Sequence, residues 1–215
     1  EMYRNNLNCL KTVIKFCKKN QAKLIHLSST SVYGKQAKIV DETCEKKFLK
    51  PQSPYAHIKI LEENILRRNT EYLLFNTFRL GTITGVSPGI RFHTAVNKFC
   101  FNASINRKVE VYKTALDQFR PYLSLKDAFK VFEFCIKKNF FKNDVFNILS
   151  GNFTVRQILN KIKKRKKIEI KLVKSAIMNQ LSYHVSKDKI QSKGLVLNSS
   201  ISKDINDTLN LLKNL

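Results

Sequence analysis

The chain has 215 residues, of which 43% are hydrophobic and 26% are charged, a composition that supports a buried core and excludes long disordered stretches. Its 40 Lys and Arg against 16 Asp and Glu give a net charge of +24, which could mark a polyanionic partner such as nucleic acid or an anionic membrane. The basic residues are spread along the whole chain, with one dense run at 163–167, so we attribute most of the charge to a lysine-rich composition and expect no specific nucleic-acid partner.

Cysteines, histidines and apolar runs narrow the class of protein further. The five Cys are widely spaced and form no C-x-x-C pair, which predicts reduced thiols in a cytoplasmic protein. The four His lack the spacing of metal ligands, so no metal site is expected. No apolar run has the length of a membrane span and no signal peptide is recognisable, so we expect neither in this sequence.

The first part of the chain alternates between helical and strand patterns. Apolar residues at helical spacing predict a helix over 5–19, and the run KLIHLS over 23–28 predicts a short buried strand. Residues 29–54 read mostly as loop, and a second helix is predicted to begin near Pro54. The apolar run over 72–80 predicts a strand covered on both faces. The order helix, strand, helix, strand is typical of a parallel α/β sheet.

The pattern changes after the glycines at positions 81, 85 and 89. From there the chain mixes helices with short strands, with no internal repeat and no low-complexity linker. We predict helices over about 92–103, 128–136, 155–162 (capped by Thr154) and 201–212, and strands over about 109–112, 145–149 and 168–173.

Tyr55 and Lys59 stand out in the second helix. Their i, i+4 spacing places both side chains on one helix face. A phenol ordinarily has a pKa of about 10, and a nearby ammonium lowers it by favouring the phenolate. The pair is therefore a candidate proton-transfer unit, although Tyr and Lys four residues apart also occur as a half-buried Tyr beside a solvated Lys.

A second candidate group follows the strand over 23–28. The sequence SSTSVYG (Ser28–Gly34) puts several hydroxyls at the carboxyl end of a predicted parallel strand, where α/β sheets place ligand crevices. A serine at this place could hydrogen-bond the substrate oxygen whose proton Tyr55 moves, and the alternative is a Ser-rich turn that only ends the strand.

These groups resemble the extended short-chain dehydrogenase/reductases, also called NAD-dependent epimerase/dehydratases. The family carries an SS-x-x-VYG motif, a later DE pair and then P-x-SPY-x-x-x-K, and the chain has all three in that order. The matching segments, with three later ones and an early one, are SSTSVYG (Ser28–Gly34), Asp41-Glu42, PQSPYAHIK (Pro51–Lys59), FRLGTITG (Phe78–Gly85), RPYLSLKDA (Arg120–Ala128), FNILSGNFTVRQI (Phe146–Ile158) and NNLN (Asn5–Asn8).

The resemblance implies an α/β fold: a partial Rossmann-type doubly wound parallel sheet with a smaller α+β substrate-binding region. Residues 1–85 would be the remaining part of the NAD-binding Rossmann domain, with its catalytic Ser, Tyr and Lys. Residues 86–215 would be mainly the substrate-binding region, interleaved with the end of the Rossmann domain.

The resemblance also implies a role for individual residues. Tyr55 would be the catalytic acid/base, and Lys59 would favour its phenolate and bind the nicotinamide ribose. Ser29 would bind the reacting sugar hydroxyl or ketone. Arg120 would contact the nucleotide diphosphate, since its fork of donors suits phosphate, with a surface ion pair as the alternative. Asn5 would lie near the cofactor or sugar.

The substrate and cofactor follow from the same resemblance. Thr82 stands where many epimerases have a substrate-contacting Asn, and it is a candidate substrate-binding residue together with Ser29 and Arg120. The implied enzyme uses NAD or NADP on a nucleotide sugar and forms a homodimer. Because Ser31 stands where 4,6-dehydratases carry a Glu, we expect a 4-epimerase-like or simple oxidoreductase activity and not 4,6-dehydration.

One part of the family pattern has no counterpart. The family begins with a strand and a Gly-rich turn that holds the cofactor pyrophosphate at a helix N-terminus, and none of the six Gly here has the G-x-x-G-x-x-G spacing. We therefore expect that the family's first βα units are truncated away and that this chain alone binds NAD weakly. Two alternatives remain open: an inactive remnant of such an enzyme, or a non-catalytic basic protein that binds polyanions.

Overall fold

The structure is a computed structural model that describes residues 1–36, 39–174 and 183–214. Its α-helices, in chain order, are α1 (Met2–Lys19), α2 (Pro54–Arg67), α3 (Ala95–Ser104), α4 (Leu125–Lys137), α5 (Val155–Lys163), α6 (Asp188–Gln191) and α7 (Ile201–Leu211). Its strands are β1 (Leu24–Ser29), β2 (Ile39–Val40), β3 (Phe75–Leu80), β4 (Thr82–Thr84), β5 (Val109–Tyr112), β6 (Phe119–Ser124), β7 (Asp144–Ile148), β8 (Gly151–Thr154), β9 (Ile170–Val173) and β10 (His184–Val185).

A parallel sheet of three strands occupies the first layer of the fold, in the order β1, β3, β7. Leu24 pairs with Phe75, and Thr77 pairs with Val145, so β3 is hydrogen-bonded on both sides. All but its last residue are buried, as the continuous apolar run predicted. The predicted α/β class with a parallel sheet is confirmed.

The helices α1 and α2 pack against this sheet through the apolar stripe predicted for the first helix. Leu10 and Ile14 of α1 contact a cluster that includes Leu66 of α2 and Phe75 of β3. A second hydrophobic cluster joins the sheet to α4: Phe78 of β3 and Ile148 of β7 are buried there together with α4 residues such as Val131. The Tyr55–Lys59 turn is thus fixed to the sheet through its own helix.

The strand over 23–28 was predicted to be buried, and this is only partly right. Among the described residues β1 pairs with β3 alone, so its other edge has no strand partner. Leu27 is 41% exposed, so the described residues cover this side chain only in part. His26 and Ser28, on the opposite face, are buried.

The rest of the chain contributes a second region of small sheets. In one, β6 lies between β4, to which it is parallel, and β8, to which it is antiparallel. In another, β5 is parallel to β9. Helices α3, α5 and α7 bury their apolar faces against these strands, in a cluster that includes Cys100, Tyr122, Ile158 and Ile205.

Several short elements were not predicted. No strand was predicted for the segments of β4, β6 and β8, which were recognised only as loops or as family motifs. β10 and α6 lie beyond the last predicted strand. The cap was predicted correctly: Thr154 accepts from the Gln157 backbone N–H, and the Gln157 side chain accepts from the Thr154 N–H. None of the helices in the described ranges is long and apolar enough to cross a membrane.

Candidate active site

Ser29 ends β1 at the carboxyl edge of the parallel sheet. Its Oγ accepts hydrogen bonds from the Ser31 backbone N–H at 3.2 Å and from the Ser31 hydroxyl at 2.9 Å. The turn that follows is tied to β3, because the Thr30 hydroxyl donates to the Leu80 carbonyl oxygen at 3.2 Å. Its oxygen accepts twice, and none of the described residues accepts from its O–H, so the Ser29 hydroxyl can still donate to a ligand.

Gly34 ends this turn in a conformation that other residues avoid. Its φ is +63°, and a Cβ at this position would lie 1.7 Å from the Lys50 carbonyl oxygen. The Lys50 N–H also donates to the Tyr33 carbonyl oxygen at 3.2 Å. Gly34 therefore lets the segment before α2 pass directly over the serine turn.

Helix α2 begins at the predicted place and presents Tyr55 in its first turn. The Ser53 side chain caps it by accepting from the Ala56 N–H at 3.2 Å. Tyr55 is 45% exposed, and the Lys59 ammonium lies 5.5 Å from the centre of its ring. The two side chains share one face of the helix, as their spacing predicted, and the distance is that of a cation–π contact.

Two adjacent carboxylates on α2 anchor the helix to the sheet. Glu62 Oε2 accepts from Lys59 Nζ at 2.8 Å and lies 3.0 Å from His26 Nε2 of β1. Burial alone would raise the pKa of Glu62, but hydrogen bonds from His26 and Lys59 outweigh it and lower that pKa. Glu63 is bound by Arg79 and by the Ser28 hydroxyl, the latter at 2.7 Å, and its pKa is also lowered because the Arg79 interaction outweighs burial.

Glu42, of the Asp-Glu pair that follows the serine turn, reaches the far strand of the sheet. Its Oε1 accepts from the Asn147 backbone N–H of β7 at 2.6 Å. The Asn147 side chain in turn accepts from the Tyr33 hydroxyl at 2.9 Å. Burial raises the pKa of Glu42, and this hydrogen bond only partly offsets it. Glu42 is therefore linked to the serine turn through Asn147, and it lines neither of the cavities described below.

Two neighbouring cavities open beside Tyr55. The first, of about 560 Å³, is lined by Tyr55 and Arg91, and the second, of about 400 Å³, is lined by Arg120 and Lys98. They share the walls formed by Thr82, His93 and Thr94. The three predicted residues Tyr55, Thr82 and Arg120 therefore line one divided cleft.

Buried polar atoms in the cleft lack partners within the described part of the chain. Asn97 Oδ1, at the first cavity, and the Tyr122 hydroxyl, at the second, are buried without a hydrogen bond. Burial raises the pKa of Tyr122 to about 12, so this hydroxyl stays protonated and can donate. An unpaired buried polar atom is costly, and a bound polar ligand would remove that cost.

The other predicted residues lie outside the walls of these two cavities. Ser29 ends β1, Lys59 lies one turn after Tyr55 on α2, and neither lines the two cavities. Asn5 is exposed on the first turn of α1, where its N–H donates to the Glu1 carbonyl oxygen, and none of its described contacts reaches the cleft. No group of three or more His, Cys, Asp or Glu within the described ranges could hold a metal ion.

Sequence reasoning missed four residues at or near the site. Arg91 and His93 lie in a segment with no recognised motif, and only the cavity reveals them. Glu62 was detectable, because it follows Lys59 by three residues on the same helix. His26 was detectable as a polar residue within an apolar strand, but its partner across the sheet was not.

The residues present fit one end of a dinucleotide cofactor. Lys59 and Tyr55 could hold a nicotinamide ribose, with donors and a phenol on one face of α2. The sequence supplies no Gly-rich turn for the pyrophosphate, because its six Gly do not have the spacing of such a turn.

Solved structures with the same fold include three sugar-nucleotide enzymes. The UDP-glucose 4-epimerase of Thermus thermophilus, solved with NAD, matches at a TM-score of 0.82 and 20% identity over 97% of this chain and 70% of that chain. The Bacillus cereus UDP-glucuronic acid 4-epimerase, solved with UDP-glucuronic acid and NAD, matches at a TM-score of 0.82 and 19% identity over 97% of this chain and 67% of that chain. The Bacillus anthracis dTDP-glucose 4,6-dehydratase, solved with NAD, matches at a TM-score of 0.78 and 21% identity over 97% of this chain and 67% of that chain.

The family of the chain follows from a match to a family model. Residues 1–148 match the NAD dependent epimerase/dehydratase family, a stretch that contains the serine turn, Tyr55, Lys59 and Arg120. Since the match spans well over half of its 215 residues, the chain belongs to the NAD dependent epimerase/dehydratase family.

Proposed function

We propose that the protein is an NAD-dependent nucleotide-sugar epimerase or oxidoreductase of the 4-epimerase type, in which Tyr55 transfers the proton. The observation that carries this proposal is the divided cleft, with Tyr55 in one cavity and Arg120 in the next. Cavities of about 560 and 400 Å³ separated by a shared wall match a ligand with two parts, a sugar and a nucleotide.

In this proposal each residue acts on a different part of the ligand. Arg120 binds the diphosphate through its guanidinium fork, next to Lys98. The sugar lies in the first cavity against Tyr55 and Thr82. Ser29 donates a hydrogen bond to the reacting oxygen, and the Tyr122 hydroxyl and Asn97 supply further polar contacts in the two cavities.

The chemistry is an oxidation followed by a reduction at one sugar carbon. When bound, NAD supplies the acceptance and return of a hydride at that carbon. The Tyr55 phenolate takes the hydroxyl proton as the C–O bond becomes a carbonyl, and it returns the proton when the carbonyl is reduced from the other face. Lys59, whose ammonium lies 5.5 Å from the centre of the Tyr55 ring, hydrogen-bonds the nicotinamide ribose in this proposal.

The structure of the serine turn favours epimerisation over 4,6-dehydration. Elimination of water needs an additional carboxylic acid or base at the end of β1, and Ser31 there carries only a hydroxyl that donates to Ser29. We therefore expect no 4-keto-6-deoxy sugar among the products, and detection of one would contradict this subtype. We also propose, from the resemblance, a homodimer in the cytoplasm.

The proposal is tested by binding and then by turnover. In saturation-transfer NMR the chain should bind UDP-glucose without NAD, and Arg120→Ala should weaken binding about tenfold or more, since a charged hydrogen bond contributes about 1.5–3 kcal/mol. With millimolar NAD, the C4 epimer should form slowly in the wild type. Binding that is absent, or unaffected by Arg120→Ala, would contradict the proposed cleft.

The salt dependence of heparin binding distinguishes the polyanion-binding alternative from the proposed enzyme. That reading requires retention on heparin that falls steeply with salt and no binding of UDP-glucose. An inactive remnant would bind the nucleotide sugar without producing an epimer at any NAD concentration.

A further inference from the structure

Lys59 is held by a chain of buried polar contacts that ends on the strand of the serine turn. Its Nζ donates to Glu62 Oε2 at 2.8 Å, and the same oxygen lies 3.0 Å from His26 Nε2. The side chains are 12%, 5% and 7% exposed for Lys59, Glu62 and His26, so water competes little for these bonds.

The chemistry of the three side chains determines which of them donates and which accepts in this row of hydrogen bonds. A carboxylate only accepts, so His26 must carry its proton on Nε2 to bind Glu62. The other ring nitrogen, Nδ1, lies 3.2 Å from the hydroxyl of buried Thr77 on β3, which can donate to it. Glu62 is thereby fixed from two sides, by β1 through His26 and by its own helix through Lys59.

We propose that Glu62, oriented by His26, is a positioning residue that holds the Lys59 ammonium beside Tyr55. This deepens the proposed function, because it concerns the same Tyr55–Lys59 pair. A free lysine side chain samples many rotamers, and one charged acceptor on the next turn restricts the ammonium to one of them. The remaining two N–H donors of Lys59 stay available for a ligand beside Tyr55.

The chain offers a matched control one residue away. Glu63 is equally buried on the same helix, but it binds Arg79 and Ser28 and has no described contact with Lys59. Glu63→Gln removes the same charge and lowers stability without touching the Lys59 contact. A comparison of Glu62→Gln with Glu63→Gln therefore separates positioning from loss of stability.

The test measures the reactivity of Lys59 in the 215-residue chain and needs no activity. Succinimidyl acetate acylates neutral amines, and mass spectrometry gives the rate at Lys59 relative to exposed Lys213. Glu62→Gln should raise that relative rate at least tenfold, because it replaces the charged acceptor of the Lys59 hydrogen bond by a neutral amide and so releases a mostly buried side chain to the reagent. Glu63→Gln should leave the rate within twofold of the wild type.

A second pair of variants covers the case in which Glu62→Gln does not fold. His26→Phe removes the donor to Glu62 and should raise Lys59 labelling several-fold, and His26→Gln, which restores an N–H at a similar reach, should return it towards the wild-type rate. An unchanged rate in Glu62→Gln or His26→Phe would overturn the proposal. An equal rise in Glu63→Gln would also overturn it.

Turnover measurements provide a second test of the positioning role, and this test depends on the proposed function. Where the wild type is active, Glu62→Gln should lower kcat at least tenfold with little change in KM for the nucleotide sugar, since Glu62 does not line the cleft. A wild type without turnover would contradict the proposed function, and the labelling rates would still decide the positioning role.

Discussion

Arg79 of β3 and Glu63 of α2 form a two-pronged ion pair beneath the candidate active site. Arg79 Nε lies 3.0 Å from Glu63 Oε1, and Arg79 Nη2 lies 2.7 Å from Oε2. Both side chains are 2% exposed, and the guanidinium lies 4.9 Å from the centre of the Tyr33 ring. The pair fastens the helix of Tyr55 and Lys59 to the central strand and to the serine turn.

We expect Glu63→Gln to destabilise the protein by about 3–5 kcal/mol at pH 7, because it leaves the buried Arg79 without a counter-ion. The pKa of Glu63 is lowered in the folded state, so its stabilising effect is complete above the unfolded value of about 4.3 and is lost as the pH falls through the lower folded value. Urea unfolding of both proteins at pH 7 and pH 3 checks this. The difference in unfolding free energy should shrink at pH 3, and a constant difference would argue against the ion pair.

Tyr55→Phe should abolish turnover while it leaves ligand binding largely intact. The substitution removes the phenol oxygen alone, and proton transfer typically contributes 10²–10⁴-fold to rate. Epimer formation at millimolar NAD and UDP-glucose binding are measured on the same preparation. Near-normal turnover in the variant would refute the role of Tyr55, and Tyr72→Phe, at an exposed tyrosine that lines neither cavity of the cleft, controls for phenol loss elsewhere.

The sequence predicted the layers of the fold better than its small sheets. The continuous apolar run over 72–80 and the periodic apolar stripe of the first helix are both strong signals, and they appear in the structure as β3 and α1. Strands β4 and β8 have three and four residues and contain one apolar residue each, so neither shows an alternating pattern. Their partners are set by tertiary pairing with β6, which no local pattern encodes.

The candidate site was predicted in part, for a related reason. Tyr55 and Lys59 were found because helical spacing relates residues four apart within one element. His26 and Glu62 lie on different elements, 36 positions apart, and only the packing of α2 on β1 brings them together. Arg91 and His93 belong to a segment whose path is fixed by contacts such as the Asn97 side chain donating to the Arg91 carbonyl oxygen at 3.1 Å.

The 215-residue chain should bind NAD weakly, because its sequence lacks the Gly-rich turn at a helix N-terminus that binds a pyrophosphate. Isothermal titration with NAD should give no saturation in the micromolar range. UDP-glucose in the same experiment is the positive control, since its proposed cleft lies within the described residues. A monomer that binds NAD at micromolar affinity would contradict this prediction.

Gly34→Ala should destabilise the protein by about 3 kcal/mol or more, because the added methyl group meets a backbone oxygen and the residue has a positive φ. Gly89→Ala is the matched control, since a Cβ there meets nothing within 4 Å. Thermal unfolding followed by circular dichroism should show a large drop in Tm for the first variant and a small change for the second. Equal Tm values would mean that Lys50 moves aside at little cost.

The central position of β3 has a consequence for the order of folding. Its two neighbours come from opposite directions along the chain: β1 precedes it by about fifty residues and β7 follows it by about seventy. Each pairing closes a long loop, and loop closure costs entropy before any hydrogen bond is gained. We therefore expect the three strands to pair late in folding, and in a nascent chain that has emerged only as far as β3 one edge of that strand still lacks its partner.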